Sequence, residues 1–166
     1  MQHSDLLIRR ADASDAPAIM SLTQRAMIVY ARKSGITSKL DSMQETLDQI
    51  RFHITYDYVL IAENRDSIIG TVRLVLPQPG TKDDTADLAY FSRFAVLPDL
   101  QQTGVGRYLY QAAEDYLTDI GIKRIRLHTA LSNSTLTGFY ESRGFRLVSK
   151  ENSRGYERGC FEKLLK

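Results

Sequence analysis

The residues best suited to binding a ligand lie in a glycine-containing loop beyond the middle of the chain. Within the segment Phe94–Tyr110, Pro98 cannot donate to a sheet ladder, so a strand is expected to end near Leu97. Gly104 and Gly106 allow backbone conformations closed to other residues and let a ligand approach the main chain. A helix is predicted directly afterwards from apolar residues at helical spacing, namely Val105, Leu109, Ala112, Ala113, Tyr116 and Leu117. A loop of this kind presents free backbone N–H groups and the positive end of a helix dipole, which suits it to binding phosphate.

Two common phosphate-binding patterns do not fit this loop. The Walker pattern needs a lysine after its last glycine, and the Rossmann fingerprint needs a third glycine where Leu109 stands. The pattern that remains is Gln101-x-x-Gly104-x-Gly106, behind a strand that ends in Phe94-Ala95-Val96. It resembles the coenzyme A pyrophosphate loop of the GNAT superfamily of N-acetyltransferases, whose pattern is Gln/Arg-x-x-Gly-x-Gly/Ala.

A second motif further along the chain resembles the same family. Asn133 is followed after six residues by Tyr140, and Tyr140 after three residues by Gly144-Phe145. This matches the GNAT pattern Asn-x6-Tyr-x3-Gly-Phe, in the expected order and with a helix and a strand between the two motifs. The chain is therefore identified as a member of the GNAT superfamily, and the resemblance covers essentially its whole length.

The resemblance implies a role for each residue of the two motifs. The backbone of Phe94, Ala95 and Val96 is expected to pair with the pantetheine arm of acetyl-CoA like an added strand. Asn133 is expected to hydrogen-bond the pantetheine, and Tyr140 to lie beside the thioester sulfur as general acid. The cofactor is expected in a gap between the strands that end near Val96 and Thr129. The pyrophosphate is expected on the glycine loop, which comprises Gln101, Gln102, Thr103, Gly104, Val105, Gly106 and Arg107.

Acetyl transfer to an amine also requires deprotonation of the acceptor. An amine with a pKa of about 10.4 is mostly protonated at pH 7, a penalty of roughly 4–5 kcal/mol. His128, five residues before Asn133, is the candidate base, because an imidazole titrates near neutrality. Its position matches the catalytic Glu of ribosomal-protein alanine acetyltransferases. Asp87 and a water chain without a single base remain alternatives, and a backbone N–H near Val96 is the natural oxyanion donor.

Composition limits the classes of binding partner and the cellular compartment that the sequence predicts. The chain has 166 residues, 43% of them hydrophobic and 25% charged, as expected for a single globular domain spanning residues 1–166. The net charge of +2 offers no case for nucleic acid, and no run of 18 apolar residues suggests a membrane span. Met1–Asp5 lacks the pattern of a signal peptide, the single Cys160 forms no internal disulfide, and no Cys/His cluster has zinc spacing. We expect a cytoplasmic, metal-free protein, and leave a homodimer open.

The periodicity predicts a mixed α/β sheet of about seven strands flanked by about four helices. Strands are expected at residues 6–10, 58–62, 68–76, 88–97, 124–129, from 144, and at 159–165. Helices are expected from about residue 14 to Gly35, from Asp41 to about His53, from Val105 to Gly121, and from Ser134 to Ser142. His3 and His53 are expected to be surface residues without partners.

The acceptor is left open between a small-molecule amine and a peptide or protein amine. Its site is expected between the first two helices, roughly residues 32–44, and at the loop from Pro77 to Asp87. In that loop Asp83, Asp84 and Asp87 could attract a cationic amine. Two other functions compete with catalysis, namely a non-catalytic GNAT domain that binds coenzyme A as a sensor or structural ligand, and an unrelated α/β nucleotide-binding protein.

Overall fold

A computed structural model describes residues 5–166, so the expectation for His3 lies outside the described residues. The strands in chain order are β1 Leu6–Arg10, β2 Tyr58–Asn64, β3 Ser67–Val75, β4 Leu88–Val96, β5 Arg124–Ala130, β6 Arg146–Glu151 and β7 Arg158–Leu164. The helices are α1 Ala16–Ser34, α2 Asp41–Gln44, α3 Leu47–Tyr56, α4 Val105–Asp119 and α5 Ser134–Glu141. The predicted mixed α/β class is confirmed, and most predicted boundaries agree within one or two residues.

The seven strands form one sheet in the order β1-β2-β3-β4-β5-β7-β6. Only β4 and β5 run parallel, and α4 is the crossover helix between them. The other neighbours are antiparallel. Among the described residues no helix has the length and apolar character needed to cross a bilayer.

Helices cover both faces of the sheet. On β2, Val59 and Ile61 belong to a cluster with α1 and α3, whereas Leu60 and Ala62 face the larger core that contains α4. This two-sided burial explains the uninterrupted apolar run of that strand. Aromatic rings fill the core between α4, α5 and β4, and they are Phe91, Phe94, Tyr110, Phe139, Tyr140 and Phe145.

The predicted single helix from Asp41 to about His53 is wrong, because the chain breaks it into α2 and α3. Glu45 adopts extended backbone after α2. Thr46 then starts α3 with a capping box, in which its hydroxyl accepts from the Gln49 amide and the Gln49 side chain accepts from the Thr46 amide. The Thr-x-x-Gln spacing of that box is visible in the sequence and is the signal for a second helix start.

The prediction that His53 lacks partners is also wrong. Its ring lies near the end of α3, where Nδ1 is 2.7 Å from Asp57 Oδ2. Its Nε2 is 3.9 Å from the carboxylate of Glu45. His53 is therefore a half-buried residue between two carboxylates.

Gly159 on β7 provides a test of the packing beside the strand β5. A Cβ at this position would lie 2.7 Å from both Leu131 Cδ2 and Leu147 Cδ1, and 2.8 Å from the Phe161 ring. We expect Gly159→Ala to lower the free energy of unfolding by about 1–3 kcal/mol because it overpacks the site, as measured by denaturant unfolding. The matched control is Gly138→Ala in α5, where a Cβ meets nothing within 4 Å. The control should raise the free energy of unfolding by about 0.5–1 kcal/mol. Equal effects of the two substitutions would contradict the tight packing around Gly159.

Candidate active site

The site begins where the two central strands separate. The parallel register of β4 and β5 comprises Leu88–Arg124, Ala89–Ile125 and Tyr90–Arg126, and it ends there. Beyond that point β4 continues to pair with β3, and β5 with β7. The amide of Ala130, at the far end of β5, donates to the hydroxyl of Tyr30 in α1 at 2.9 Å. The predicted gap between the strands ending near Val96 and Thr129 is therefore present.

A bulge in β4 lies at the start of this gap. Thr71 and Arg73 of β3 pair with Ala95 and Ser92 respectively, so β4 contains one more residue than its partner there. Within the bulge Arg93 has φ of +52°, in the left-handed region that non-glycine residues rarely occupy. The bulge directs the Arg93 side chain toward the buried Glu45, to which its guanidinium approaches within 3.8 Å.

The glycine loop lines a cavity of about 460 Å³, called here the loop cavity. Its walls include α1, the end of β4 and α5. Most residues expected to bind the cofactor line it, namely Phe94, Ala95, Val96, Gln101, Gln102, Thr103, Gly104, Gly106, Arg107 and Asn133. Val105 does not, because its side chain is fully buried in the core. The structure therefore brings the two sequence motifs together around one space.

The loop conformation leaves the start of α4 open to that cavity. Gly104 has φ of +101°, which strongly favours glycine. The Tyr108 amide donates to the Gly104 carbonyl at 3.0 Å and starts the hydrogen-bond ladder of α4. The amides of α4 that come before Tyr108 lie ahead of this ladder. A Cβ on Gly106 would lie 3.3 Å from the Phe94 ring, which shows how closely the loop approaches β4. One predicted phosphate donor is already engaged, since the Thr103 amide donates to the Leu100 carbonyl at 3.4 Å.

Asn133 is a buried residue with structural partners at both ends of its side chain. Its Oδ1 accepts from the Leu136 amide at 3.2 Å and so caps α5. Its Nδ2 donates to Ser34 Oγ at 3.2 Å, which ties α5 to the end of α1. The capping interpretation is thus present in the structure, while Asn133 also lines the loop cavity.

His128 and Tyr140 line a second space of about 330 Å³, called here the histidine cavity. Its other walls come from the α1–α2 connection, β4 and the β6–β7 loop. It shares Met27, Tyr30, Phe94 and Leu136 with the loop cavity, so the two spaces adjoin. The two residues expected to be catalytic, His128 and Tyr140, therefore line the histidine cavity and not the loop cavity.

Burial sets the protonation states of the two titratable groups. Desolvation raises the pKa of Tyr140 well above its usual value, with the nearby Tyr30 adding to the effect. Tyr140 is therefore a protonated donor at neutral pH. Desolvation, followed by the charge of Arg158, lowers the pKa of His128 below its ordinary 6.5. His128 is consequently neutral at pH 7, the state in which an imidazole can accept a proton.

His128 has a partner on the neighbouring strand β4. The hydroxyl of Tyr90 contacts His128 Nδ1, and the two rings stack with centroids 5.6 Å apart. This contact holds the ring and leaves Nε2 as the other titratable nitrogen. Tyr90 is the last residue of β4 that pairs with β5. Nothing in the sequence alone reveals the pair, because it depends on the register of two strands.

Asp87 and the acidic loop do not belong to the site. Asp87 precedes β4 at the end opposite the glycine loop, and its carboxylate accepts from Arg124 at 3.0 and 3.2 Å. No residue from Pro77 to Asp87 lines either cavity. Residues 38–42, which belong to the segment 32–44 expected to shape the acceptor site, line the histidine cavity. The other side of that cavity comes from Arg154 and Tyr156 of the β6–β7 loop and from Arg158, the first residue of β7.

Comparisons with known proteins agree with this architecture. The sequence model described as the acetyltransferase (GNAT) family matches residues 26–145. The chain thus belongs to the GNAT acetyltransferase family, and the interpretation as an unrelated nucleotide-binding protein is wrong. An uncharacterized N-acetyltransferase of Chlorobaculum tepidum is 28% identical over 151 residues, which are 91% of this chain and 82% of the relative.

Solved structures show the same fold at low sequence identity. The PaiA N-acetyltransferase of Thermoplasma acidophilum, determined in complex with coenzyme A, has a TM-score of 0.80 at 20% identity. The match covers 96% of this chain and 99% of that one. The ribosomal-protein-S18-alanine N-acetyltransferase of Escherichia coli has a TM-score of 0.70 at 18% identity, over 97% of this chain and 94% of that one.

The buried Glu45 provides a test of how the bulge is held. Its carboxylate accepts from both terminal nitrogens of Arg73 at 2.8 and 2.9 Å, and the side chains are 10% and 8% exposed. Burial alone would raise the pKa of Glu45, but the Arg73 hydrogen bonds and charge hold it below its usual range. Glu45→Gln should lower the free energy of unfolding by about 3–5 kcal/mol, because it leaves Arg73 and Arg93 buried without their carboxylate.

The measurement is denaturant unfolding of the two matched variants Glu45→Gln and Asp48→Asn. Asp48 lies in the first turn of α3, its side chain is 95% exposed, and it pairs with Arg51. Asp48→Asn should lower the free energy of unfolding by less than about 1 kcal/mol. Similar values for the two variants would mean that Glu45 is not a buried structural carboxylate.

Proposed function

We propose that residues 1–166 form one N-acetyltransferase domain that transfers the acetyl group of acetyl-CoA to a primary amine. The observation that carries the proposal is the pair of adjoining cavities. One is lined by a glycine loop with the open amides of a helix start, and the other by a neutral His128 and a protonated Tyr140. An acyl donor with a pyrophosphate and an amine acceptor require two such spaces that meet.

The loop cavity offers groups that fit coenzyme A. The first turn of α4 provides backbone N–H donors and a positive dipole end for the pyrophosphate. The edge of β4 that faces the gap, around Phe94, Ala95 and Val96, offers backbone groups for the pantetheine amides. Three basic residues, Lys33, Arg107 and Arg143, line the same cavity and favour a polyanion. We assign acetyl-CoA to the loop cavity on this basis.

The residues of the histidine cavity then have distinct tasks. Acetyl-CoA supplies an activated acetyl thioester, whose C–S bond breaks as the new C–N bond forms. His128 takes the proton from the acceptor ammonium, directly or through one water, so that the nitrogen has a free electron pair. Tyr90 is a positioning residue for the His128 ring. Tyr140 donates a proton to the leaving sulfur and regains one from the nitrogen as the amide forms, and its raised pKa keeps its hydroxyl protonated at neutral pH.

Thermal unfolding with and without acetyl-CoA tests the proposal. At about a hundredfold excess over the Kd, linkage predicts about 2.7 kcal/mol of stabilisation and a rise in Tm on the order of 5–10 °C. Gly104→Ala should lose most of this rise, because an L side chain strains the loop that presents the amides. Tyr140→Phe should keep the rise but lower turnover, measured as thiol release, by about 10²-fold or more.

The control for backbone strain is Gly80→Ala. Gly80 also has a positive φ of +85°, but a Cβ there meets nothing within 4 Å and the residue lies in neither cavity. Its Tm should fall by a similar amount while the response to acetyl-CoA is unchanged. No response in the wild type would overturn the proposal. Full turnover by Tyr140→Phe would remove its assigned role, and binding without any turnover would favour a coenzyme A sensor.

The pH dependence tests His128 as the base. The chain has three histidines, so the His128 resonance in an NMR titration can be assigned by its absence in His128→Gln. Its pKa should lie below 6.5, because burial and Arg158 disfavour the imidazolium. The acid limb of kcat/KM should therefore lie below pH 6.5 in the wild type, activity being lost as the pH falls and His128 gains a proton. His128→Gln should remove that limb and reduce kcat/KM by about 10²-fold or more at pH 7. An unchanged profile would assign deprotonation to a water path instead.

A further inference from the structure

The charge lining the histidine cavity is strongly one-sided. Among the described residues four basic side chains line it, namely Lys39, Arg93, Arg154 and Arg158, against one carboxylate, that of Asp41. This balance is the opposite of what the acidic loop of residues 83–87 suggested, and that loop lies elsewhere. An ordinary amine acceptor is a cation at neutral pH, and it would enter a site of like charge at a cost.

Arg93 is a half-buried cation whose compensation is incomplete. Its nearest carboxylate oxygen belongs to Glu45 at 3.8 Å, and that carboxylate already accepts two shorter hydrogen bonds from Arg73. Among the described residues the buried Arg93 Nε has no hydrogen-bond partner. Burial lowers the pKa of this guanidinium, which reflects the cost of holding a charge there with incomplete pairing. Arg93 is therefore a partly buried cation that borders the cavity and lacks a full counter-ion.

The β6–β7 loop and the start of β7 add two further guanidinium groups. Arg154 contacts Asp41, and Arg158 contacts Glu151 through its Nε. Each guanidinium carries five N–H donors, and within residues 5–166 each of these two is paired with one carboxylate. Planar guanidinium groups bind carboxylates through paired hydrogen bonds, which adds orientation as well as affinity. The donors at this end of the cavity are thus suited to an anionic group of a ligand.

We propose that the acceptor is a small primary amine that also carries a carboxylate, of the size of an amino acid. The inference rests on the proposed function, since it assigns the histidine cavity to the acceptor. The carboxylate is bound by the guanidinium groups of Arg93, Arg154 and Arg158, and the amine faces His128. A volume of about 330 Å³ matches a small molecule. The positive surroundings also lower the pKa of the acceptor ammonium, which assists its deprotonation.

The test compares each of the twenty common amino acids with its α-amide, by thiol release from acetyl-CoA. Amidation removes the carboxylate and also lowers the pKa of the amine, so a slower reaction of the amide cannot result from stronger protonation. For the preferred side chain, kcat/KM should be at least about tenfold higher for the free acid. Linear diamines and tripeptides with an acidic second residue are tested as acceptors in the same assay. Both should react more slowly than the free amino acid.

Variants locate the effect in the histidine cavity. Arg154→Gln and Arg158→Gln should each raise KM for the preferred amino acid by about tenfold or more. Because both arginines also lower the pKa of His128, the kinetics with the amide are compared at about pH 8, where the imidazole is neutral in every variant, and should change little there. Arg146→Gln is the matched control, because it removes the same charge from an exposed position at the start of β6. It should leave both substrates unaffected. Arg93 is not used alone, since its loss would also disturb the buried network around Glu45.

The outcomes separate this proposal from the proposed function. If acetyl-CoA raises the Tm but amides, diamines or tripeptides react as well as free amino acids, the carboxylate proposal is overturned while the function stands. The same holds if no amino acid releases thiol or raises the Tm further in the presence of coenzyme A. If acetyl-CoA itself has no effect on the Tm, the failure lies in the function. An equal rise in KM for Arg154→Gln, Arg158→Gln and the control Arg146→Gln would also overturn the carboxylate proposal, because the effect would then be one of overall charge.

Discussion

The end of hydrogen bonding between β4 and β5 is the constraint on which the site depends. Three residue pairs hold the two strands together as far as Tyr90 and Arg126, and then each strand pairs with its other neighbour alone. A sheet that stayed paired would place its side chains on two closed faces and leave no opening at its centre. The separation instead exposes one edge of β4 and moves the end of β5 toward α1. Both cavities follow from that one departure from regular pairing.

The separation requires compensation, because unpaired backbone groups and strained residues carry a cost. On β5 the Ala130 amide is satisfied by the Tyr30 hydroxyl. On β4 the extra residue of the bulge places Arg93 at positive φ, and the buried Glu45 holds Arg73 and attracts Arg93 beneath it. Glu45 is available for this contact because the chain breaks between α2 and α3. A local helix break, a buried ion pair and a bulge are thus parts of one arrangement that keeps the gap open.

The sequence predicted the parts of the site that are local in the chain. Gly104, Gly106 and the helix that follows are neighbours, so their geometry could be derived from backbone physics and spacing. Asn133 caps α5 and Tyr140 lies within it, and the resemblance to the GNAT pattern predicts the two together. The contact between Tyr90 and His128 was not, because it depends on the register of two strands 38 residues apart. Arg154 and Arg158 depend on the same kind of long-range placement, whereas the acidic loop precedes β4 in the chain and therefore lies at the end of that strand opposite the glycine loop.

The positive charge of the histidine cavity affects two protonation states, that of His128 and that of the proposed acceptor amine. Desolvation and the charge of Arg158 favour the neutral imidazole of His128, which is the form that the proposed base needs in order to accept a proton. The same positive charges would act on the ammonium of the proposed acceptor and favour loss of its proton. A cation would nevertheless be excluded by this field unless another part of the molecule is attracted to it. An anionic group on the acceptor resolves the conflict, because it is bound by the guanidinium groups while the amine beside it is made easier to deprotonate. The excess of arginine around the cavity is therefore compatible with amine chemistry when the amine carries its own counter-charge.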